Sequence, residues 1–225
     1  MSLLILRLFG LTCILSAIFY LFYLFLPKPK PPAIPVRERR TPSEWGEKAD
    51  RAERYSLGHA RRVSRYARML AEAAKLDLKS VMSVEEAGLL HDIGEIDWCA
   101  ELLSRQGPFD SDERLLLAEH PARGSRLAEK AGEIPWSHLW VRWHHERYDG
   151  TGYPDGLWAE DIPVEARILA IADSFDSMCH SRPYRSALDQ EEALTEIQRL
   201  AGIHYDPHLV QLFAERISLD GFSAG

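Results

Sequence analysis

The sequence predicts an all-α helical bundle behind a single N-terminal transmembrane helix. Three observations carry this reading. Apolar residues recur at spacings of three and four along most of the 225 residues, the period of an amphipathic helix. No stretch of any length alternates apolar and polar residues as a half-buried strand does. Residues 8–26 contain no charged side chain, and at about 1.5 Å of rise per residue they nearly span the ~30 Å hydrocarbon core of a bilayer.

The apolar run ends in Tyr20-Leu21-Phe22-Tyr23-Leu24-Phe25-Leu26-Pro27, which lacks the small-residue cleavage site of a secretory signal, so an anchor is the better reading. Arg7 alone precedes the run, whereas Lys28, Lys30, Arg37, Arg39 and Arg40 follow it, opposed by Glu38. The positive-inside rule then orients the chain in the inner (cytoplasmic) membrane with its C-terminal domain in the cytoplasm. Pro27, Pro29, Pro31, Pro32, Pro35 and Pro42 make residues 27–42 an extended, basic linker.

Beyond the linker the pattern is helical. Leu57, Ala60, Val63, Ala67, Leu70 and Ala74 predict one helix near residues 45–76. Ser83-Val84-Glu85-Glu86 has the capping-box form and predicts the start of a second helix, with His91-Asp92 at its C-terminal end. Further helices are predicted at 111–120, 122–131, 136–147, 163–180, 188–201 and 206–217, the last with Asp206 as N-cap and Pro207 in the first helical position.

The net charge of -7 argues against a nucleic-acid polymer as ligand. A small phosphate ester stays open, because bound divalent metals reverse the local field. Cys13, Cys99 and Cys179 form no Cys-x-x-Cys pair, in keeping with a reduced compartment.

The histidines stand out by their company. His59 projects from the first helix, His91-Asp92 closes the second, His120-Pro121 closes a third and His144-His145 a fourth. Asp173 is a charge in the apolar segment Ile171-Ala172-Asp173-Ser174-Phe175-Asp176, where an unpaired carboxylate would be costly. Imidazoles with a carboxylate suit iron, manganese, zinc or nickel rather than calcium or magnesium. One bridging carboxylate and several histidines suit two metals about 3.5 to 4 Å apart.

His91-Asp92-Ile93-Gly94, His120-Pro121-x-x-Gly124, residues 144–157 (HHERYDGTGYPDGL), RILAIADSFDSM from Arg167 and SRPYR from Ser181 closely resemble the HD-GYP domains of the HD metal-dependent phosphohydrolase superfamily. The resemblance runs from about residue 50 to 215 and divides the chain into an anchor (1–26), a linker (27–42) and an HD-GYP domain (43–225). It implies five core HD helices plus extra ones, and a phosphodiesterase that hydrolyses cyclic di-GMP to linear pGpG, with cleavage on to GMP left open. It implies a di- or trinuclear centre, usually of iron or manganese. His59, His91, Asp92 and Asp173 would hold one metal ion, and His120, His144 and His145 the second, with Asp92 bridging. The Gly152-Tyr153-Pro154 loop would lie beside the substrate, and Arg182 and Arg185 would meet its phosphates. His138, His180, His204 and His208 match no motif position and read as structural.

Two positions depart from the resemblance. Glu95 stands where the family usually has a lysine near the scissile phosphate, and is expected to serve as a base or an additional ligand. Tyr55 stands one helical turn before His59, where some members carry a glutamate that helps bind a third metal; a binuclear centre is therefore expected. Besides hydrolysis of cyclic di-GMP, Glu95 keeps open a catalytically weak receptor for the dinucleotide or a partner protein. A phosphohydrolase of another cyclic dinucleotide and assembly as a homodimer also stay open.

Overall fold

The computed structural model describes residues 40–53, 57–96, 102, 109–181 and 186–220. The anchor at 1–26, nearly all of the linker, Tyr55, Cys13, Cys99, Arg182 and Arg185 lie outside the described residues. No helix among the described residues is long and apolar enough to cross a membrane.

The described residues form the expected all-α bundle, without a strand. Its helices are α1 (Pro42–Glu53), α2 (His59–Ala73), α3 (Leu78–Leu90), α4 (Ser111–Leu117), α5 (His120–Ala131), α6 (Ser137–Trp143), α7 (Val164–Cys179), α8 (Gln190–Arg199) and α9 (Pro207–Asp220), with short 3-10 turns at Ile93–Glu95 and Ala159–Asp161.

Several boundaries differ from expectation, each for a local reason. The single helix expected at 45–76 is two. Gly58 takes φ 82, a left-handed conformation that suits glycine, and starts α2 in a new direction. The Asp50 carboxylate of α1 accepts the N–H groups of Gly58 (2.8 Å) and Ala60 (3.1 Å), capping α2 from outside its own sequence. The second helix starts at Leu78, not at Ser83, because Asp77 accepts the N–H groups of Lys79 (2.8 Å) and Ser80 (3.1 Å). Ser83 is interior to α3, where its hydroxyl donates to the Ser80 carbonyl and accepts from the Trp140 indole. His120-Pro121 opens α5 rather than closing a helix, since a proline without an N–H fits the first turn. Asp206 caps α9 as expected, accepting from the N–H groups of His208 and Leu209.

The core lies where α2, α3 and α7 pack together, with α9 closing one side. Tyr66 of α2, Phe175 of α7 and Phe213 of α9 meet edge to face, with Tyr66 and Phe213 5.2 and 5.1 Å from the Phe175 ring. Val63, Leu70, Leu90, Ile168, Leu169 and Ile171 fill the space around them without solvent exposure. Two glycines set the approach of the elements that carry the histidines. A methyl at Gly88 would fall 2.6 Å from the Ser64 Cα, so α3 lies directly on α2. A methyl at Gly94 would run into the His120 carbonyl and come within 2.6 Å of the Gly124 nitrogen. The Ile93–Glu95 turn is thereby seated on the first turn of α5.

Gly94→Ala should destabilise the protein by about 1–3 kcal/mol, because both obstacles are backbone and neither can swing aside. Urea denaturation checks this through a lowered midpoint at unchanged slope.

Candidate metal centre

Seven side chains expected to bind metal converge from five helices, and most do so at helix ends. His59 is the first residue of α2, His91 caps the C-terminus of α3, His120 is the first residue of α5 and His144 caps the C-terminus of α6. Asp92 and His145 follow their histidines directly, and Asp173 comes from the middle of α7. His59, His91, His120 and His144 are each at most 4% exposed.

Their donor atoms form three groups, each within 4.8 Å: His59, His91 and Asp173; His120, His144 and His145; and Asp92, Glu95 and His120. Asp92 stands between the first two groups. Its Oδ2 lies 2.9 Å from His91 Nε2 and 3.6 Å from His59 Nε2, while its Oδ1 lies 3.6 Å from His120 Nε2. Asp173 Oδ1 is 3.3 Å from His59 Nε2 and 3.7 Å from His91 Nε2.

The hydrogen bonds behind the rings fix which nitrogen faces inward. Nδ1 of His91 donates to the Gly88 carbonyl (3.0 Å), Nδ1 of His120 to Leu117 (2.8 Å) and Nδ1 of His144 to Val141 (2.7 Å). Nδ1 of His59 donates to Asp176 Oδ2 at 2.7 Å. Each Nε2 therefore turns into the cluster, the arrangement that second-shell partners impose on metal-bound imidazoles. His120 and His144 point their Nε2 atoms at each other across 3.3 Å with both Nδ1 protons engaged elsewhere. Two lone pairs so placed repel, and a cation that accepts both removes the conflict. The residues fit a divalent transition metal.

The ionisation states agree. Burial holds the His144 imidazole well below its ordinary range, lowers His120 and, with the neighbouring His120, lowers His145 to about 4; all three are neutral ligands at pH 7. At His91 burial acts in the same direction, but Asp92 and Asp173 outweigh it and raise the ring to about 10. Burial would raise both carboxylates. The positive His91 ring and the adjacent His59 instead hold Asp92 well below its usual range, and the same two rings do so for Asp173. In the metal-free protein a proton at His91 supplies the positive charge that the carboxylates require.

Two residues outside the expected set support the centre. Asp176, 1% exposed, accepts from His59 and from Arg62 Nε (2.7 Å) and Nη2 (3.1 Å), and so orients a ligand. Its signal in the sequence is its place one turn after Asp173, on the same face of α7. Glu146, 4% exposed, accepts the backbone N–H groups of Asp155 (2.7 Å), Gly156 (3.1 Å) and Leu157 (3.1 Å). The loop carrying Gly152, Tyr153 and Pro154 is thus folded around a carboxylate adjacent to His145. Tyr153 N–H donates to the His145 carbonyl at 3.2 Å, and the two rings lie 5.1 Å apart. A side chain at Gly152 would strike the backbone of Glu146 and Arg147, so only glycine closes the loop. The Tyr153–Pro154 peptide is cis. Burial and the nearby Asp173 and Asp92 push the Tyr153 hydroxyl upward, keeping it protonated.

His138, His180, His204 and His208 belong to none of the three donor groups. His180 instead touches Asp176, donating Nδ1–H to its carbonyl at 2.8 Å.

A family model described as an HD domain matches residues 49–209. The chain belongs to the HD domain family. Its Gly152-Tyr153-Pro154 loop and paired His144-His145 place it with the HD-GYP proteins that the motifs resemble. A cyclic di-GMP phosphodiesterase response regulator of Xanthomonas campestris, RpfG, is 36% identical over 77% of this chain and 47% of its own length. A cyclic di-GMP phosphodiesterase of Thermotoga maritima is 35% identical over 69% of this chain and 43% of its own. A 3'3'-cGAMP-specific phosphodiesterase of Vibrio cholerae is 33% identical over 70% of this chain and 30% of its own. The chain thus spans less than half the length of these curated relatives. Among solved structures, a cyclic GMP-AMP-specific phosphodiesterase of V. cholerae superposes with a TM-score of 0.64 at 21% identity, covering 81% of this chain and 50% of that one. The HD domain of a phosphodiesterase of L. monocytogenes, solved with cyclic-di-AMP, gives 0.53 at 14% identity and covers 81% of this chain and 98% of that one. Both establish the fold.

Because His91 carries a proton up to about pH 10, a metal entering the site must displace it. Calorimetric titration of Mn2+ into chelator-stripped protein near neutral pH should show proton release as a buffer-dependent heat. Affinity should rise roughly tenfold per pH unit for the one proton released, levelling off near the His91 value. A buffer-independent heat would contradict this.

Proposed function

We propose that the chain is a metal-dependent cyclic dinucleotide phosphodiesterase that hydrolyses cyclic di-GMP to linear pGpG. The observation that carries the reading is Asp92, whose two oxygens face two separate histidine sets, as a bridging ligand of a binuclear centre would. The names of the relatives, cyclic di-GMP and cGAMP phosphodiesterases, support the substrate class. His59, His91, Asp92 and Asp173 would hold one iron or manganese ion and His120, His144 and His145 the second. Two such ions supply Lewis acidity toward a phosphoryl oxygen and lower the pKa of water.

The chain's own residues bind and orient. Asp176 and the carbonyls of Gly88, Leu117 and Val141 hold the imidazoles with Nε2 inward. Gly152, Tyr153 and Pro154 form a wall beside His145, and the protonated Tyr153 hydroxyl can donate to a phosphate oxygen. Arg182 and Arg185, which lie outside the described residues, would by the family resemblance meet the phosphates, a task for which the guanidinium fork is suited. Cleavage of cGAMP is the second reading, favoured by the relatives named for that substrate.

Full-length protein loaded anaerobically with Fe2+ or Mn2+ should convert cyclic di-GMP to pGpG, resolved by chromatography beside cGAMP as competing substrate. Asp92→Ala should lower kcat/KM by more than about a hundredfold, since it removes a ligand rather than a supporting group. Loaded protein that leaves both dinucleotides intact would refute the proposal.

The uncharged residues 8–26 anchor the chain in the inner membrane, and the basic residues that follow keep the catalytic domain in the cytoplasm. Full-length protein should sediment with membranes, and a chain lacking residues 1–42 should be released to the soluble fraction.

A further inference from the structure

Glu95 occupies the position at which the sequence departs most sharply from its relatives by resemblance, and its surroundings give it a role. It ends the Ile93–Glu95 turn, whose closing bond runs from Glu95 N–H to the Asp92 carbonyl at 2.9 Å. Only 6% of it is exposed. The contact of Gly94 with the His120 carbonyl seats that turn on α5, and donor atoms of Glu95, Asp92 and His120 all lie within 4.8 Å of one another.

We propose that Glu95 is a direct ligand of the metal ion held by His120, His144 and His145. The proposal rests on the binuclear reading above. His120 Nδ1 is engaged with the Leu117 carbonyl, so Nε2 is the atom it offers. That atom serves two donor groups, one with His144 and His145, the other with Asp92 and Glu95. A ring nitrogen has one lone pair and binds one ion. Because both groups draw on that one atom, the proposal assigns them to a single ion with three imidazole and two carboxylate donors rather than to a third metal position. Electrostatics are compatible with this: the buried Glu95 carboxylate and the mostly buried Asp92 carboxylate lie close together, and a cation between them would relieve their repulsion.

The consequence is specific to a glutamate at this position. A charged lysine has no lone pair to offer, so it would leave the second ion with one ligand fewer. With Glu95 as a ligand, that ion would gain an oxygen donor beyond those of the three imidazoles and Asp92. The added hard oxygen shifts preference from zinc toward manganese or ferrous iron.

The test counts and ranks metals directly. Full-length protein is stripped with chelator and titrated with Mn2+, free ion being read by electron paramagnetic resonance, with Zn2+ as competitor. The wild type should bind two ions. Glu95→Gln, the same shape without the charge, should weaken one of them by at least about tenfold, leave the other unchanged and shift the competition toward Zn2+. Circular dichroism checks that the variant is folded; should it not be, Glu95→Asp, which withdraws the carboxylate by one methylene, must show the same site-selective loss. Two ions bound at wild-type affinity by the variant would overturn the proposal. So would three ions in the wild type with only the third lost. Hydrolysis of cyclic di-GMP is followed on the same samples. Weakening of one ion without any cleavage in the wild type leaves the ligand assignment standing and removes the phosphodiesterase; cleavage with unchanged ion binding does the reverse.

Discussion

The burial of one carboxylate, Asp92, among imidazoles is the constraint on which the site depends. An anion so placed is stable only if positive charge reaches it, and among the described residues the ion pairs of Asp92 are made with histidines. Three such partners lie among the described residues, His59 and His91 on one side and His120 on the other. Imidazole is a weak and conditional cation, neutral when buried without help. The arrangement is therefore tuned to accept charge from outside, by a proton at His91 or by a metal. Under the proposed binuclear reading, the same carboxylate would be the bridge between the two ions.

Building such a cluster requires imidazoles with a fixed tautomer, and the fold obtains this from its helix ends. The last carbonyls of a helix have no partner within it. At the ends of α3, α4 and α6 a histidine three residues on turns its Nδ1 back to one of them, at Gly88, Leu117 and Val141. One bond satisfies an orphan acceptor and aims Nε2 at the cluster. His59 lies at a helix start, where carbonyls are already engaged, and a carboxylate from another helix, Asp176, takes that part. The difference is a matter of helix polarity rather than of ligand identity.

The same physics explains what was legible in the sequence. The all-α class, Asp206 with Pro207 at the start of α9, and the pairs His91-Asp92 and His144-His145 that meet in the donor cluster were readable because each is a local pattern. The break at Gly58 was not, because its cap is supplied by Asp50 eight residues back, across a change of direction. Ser83-Val84-Glu85-Glu86 misled because a capping box names a chemistry that an interior helix turn can also hold. There Glu86 points away to accept from Glu133, Ile134 and Ser137. Asp176 and Glu146 lay within quoted motifs, yet their partners are 117 residues away for Asp176 and backbone amides for Glu146; neither relation leaves a spacing to read.

The Gly-Tyr-Pro loop and the metal ligands form one mechanical unit. His145 belongs to the donor set, its carbonyl accepts from Tyr153 N–H, and its neighbour Glu146 holds three amides of the loop's far side. Arg142, one turn before Glu146, closes the same loop through a bidentate pair with Asp155 at 2.7 and 2.6 Å. Movement of the loop is thus movement of a ligand. Tyr153 is in this way coupled to the position of the His145 donor, through a path made of backbone bonds. Such bonds depend little on side-chain identity. Gly152 and Glu146 are the exceptions, because one must be absent of side chain and the other must be an anion. The coupling therefore rests on two residues that touch neither metal group, and it explains why paired histidines and a Gly-Tyr-Pro loop occur in one unbroken run of sequence.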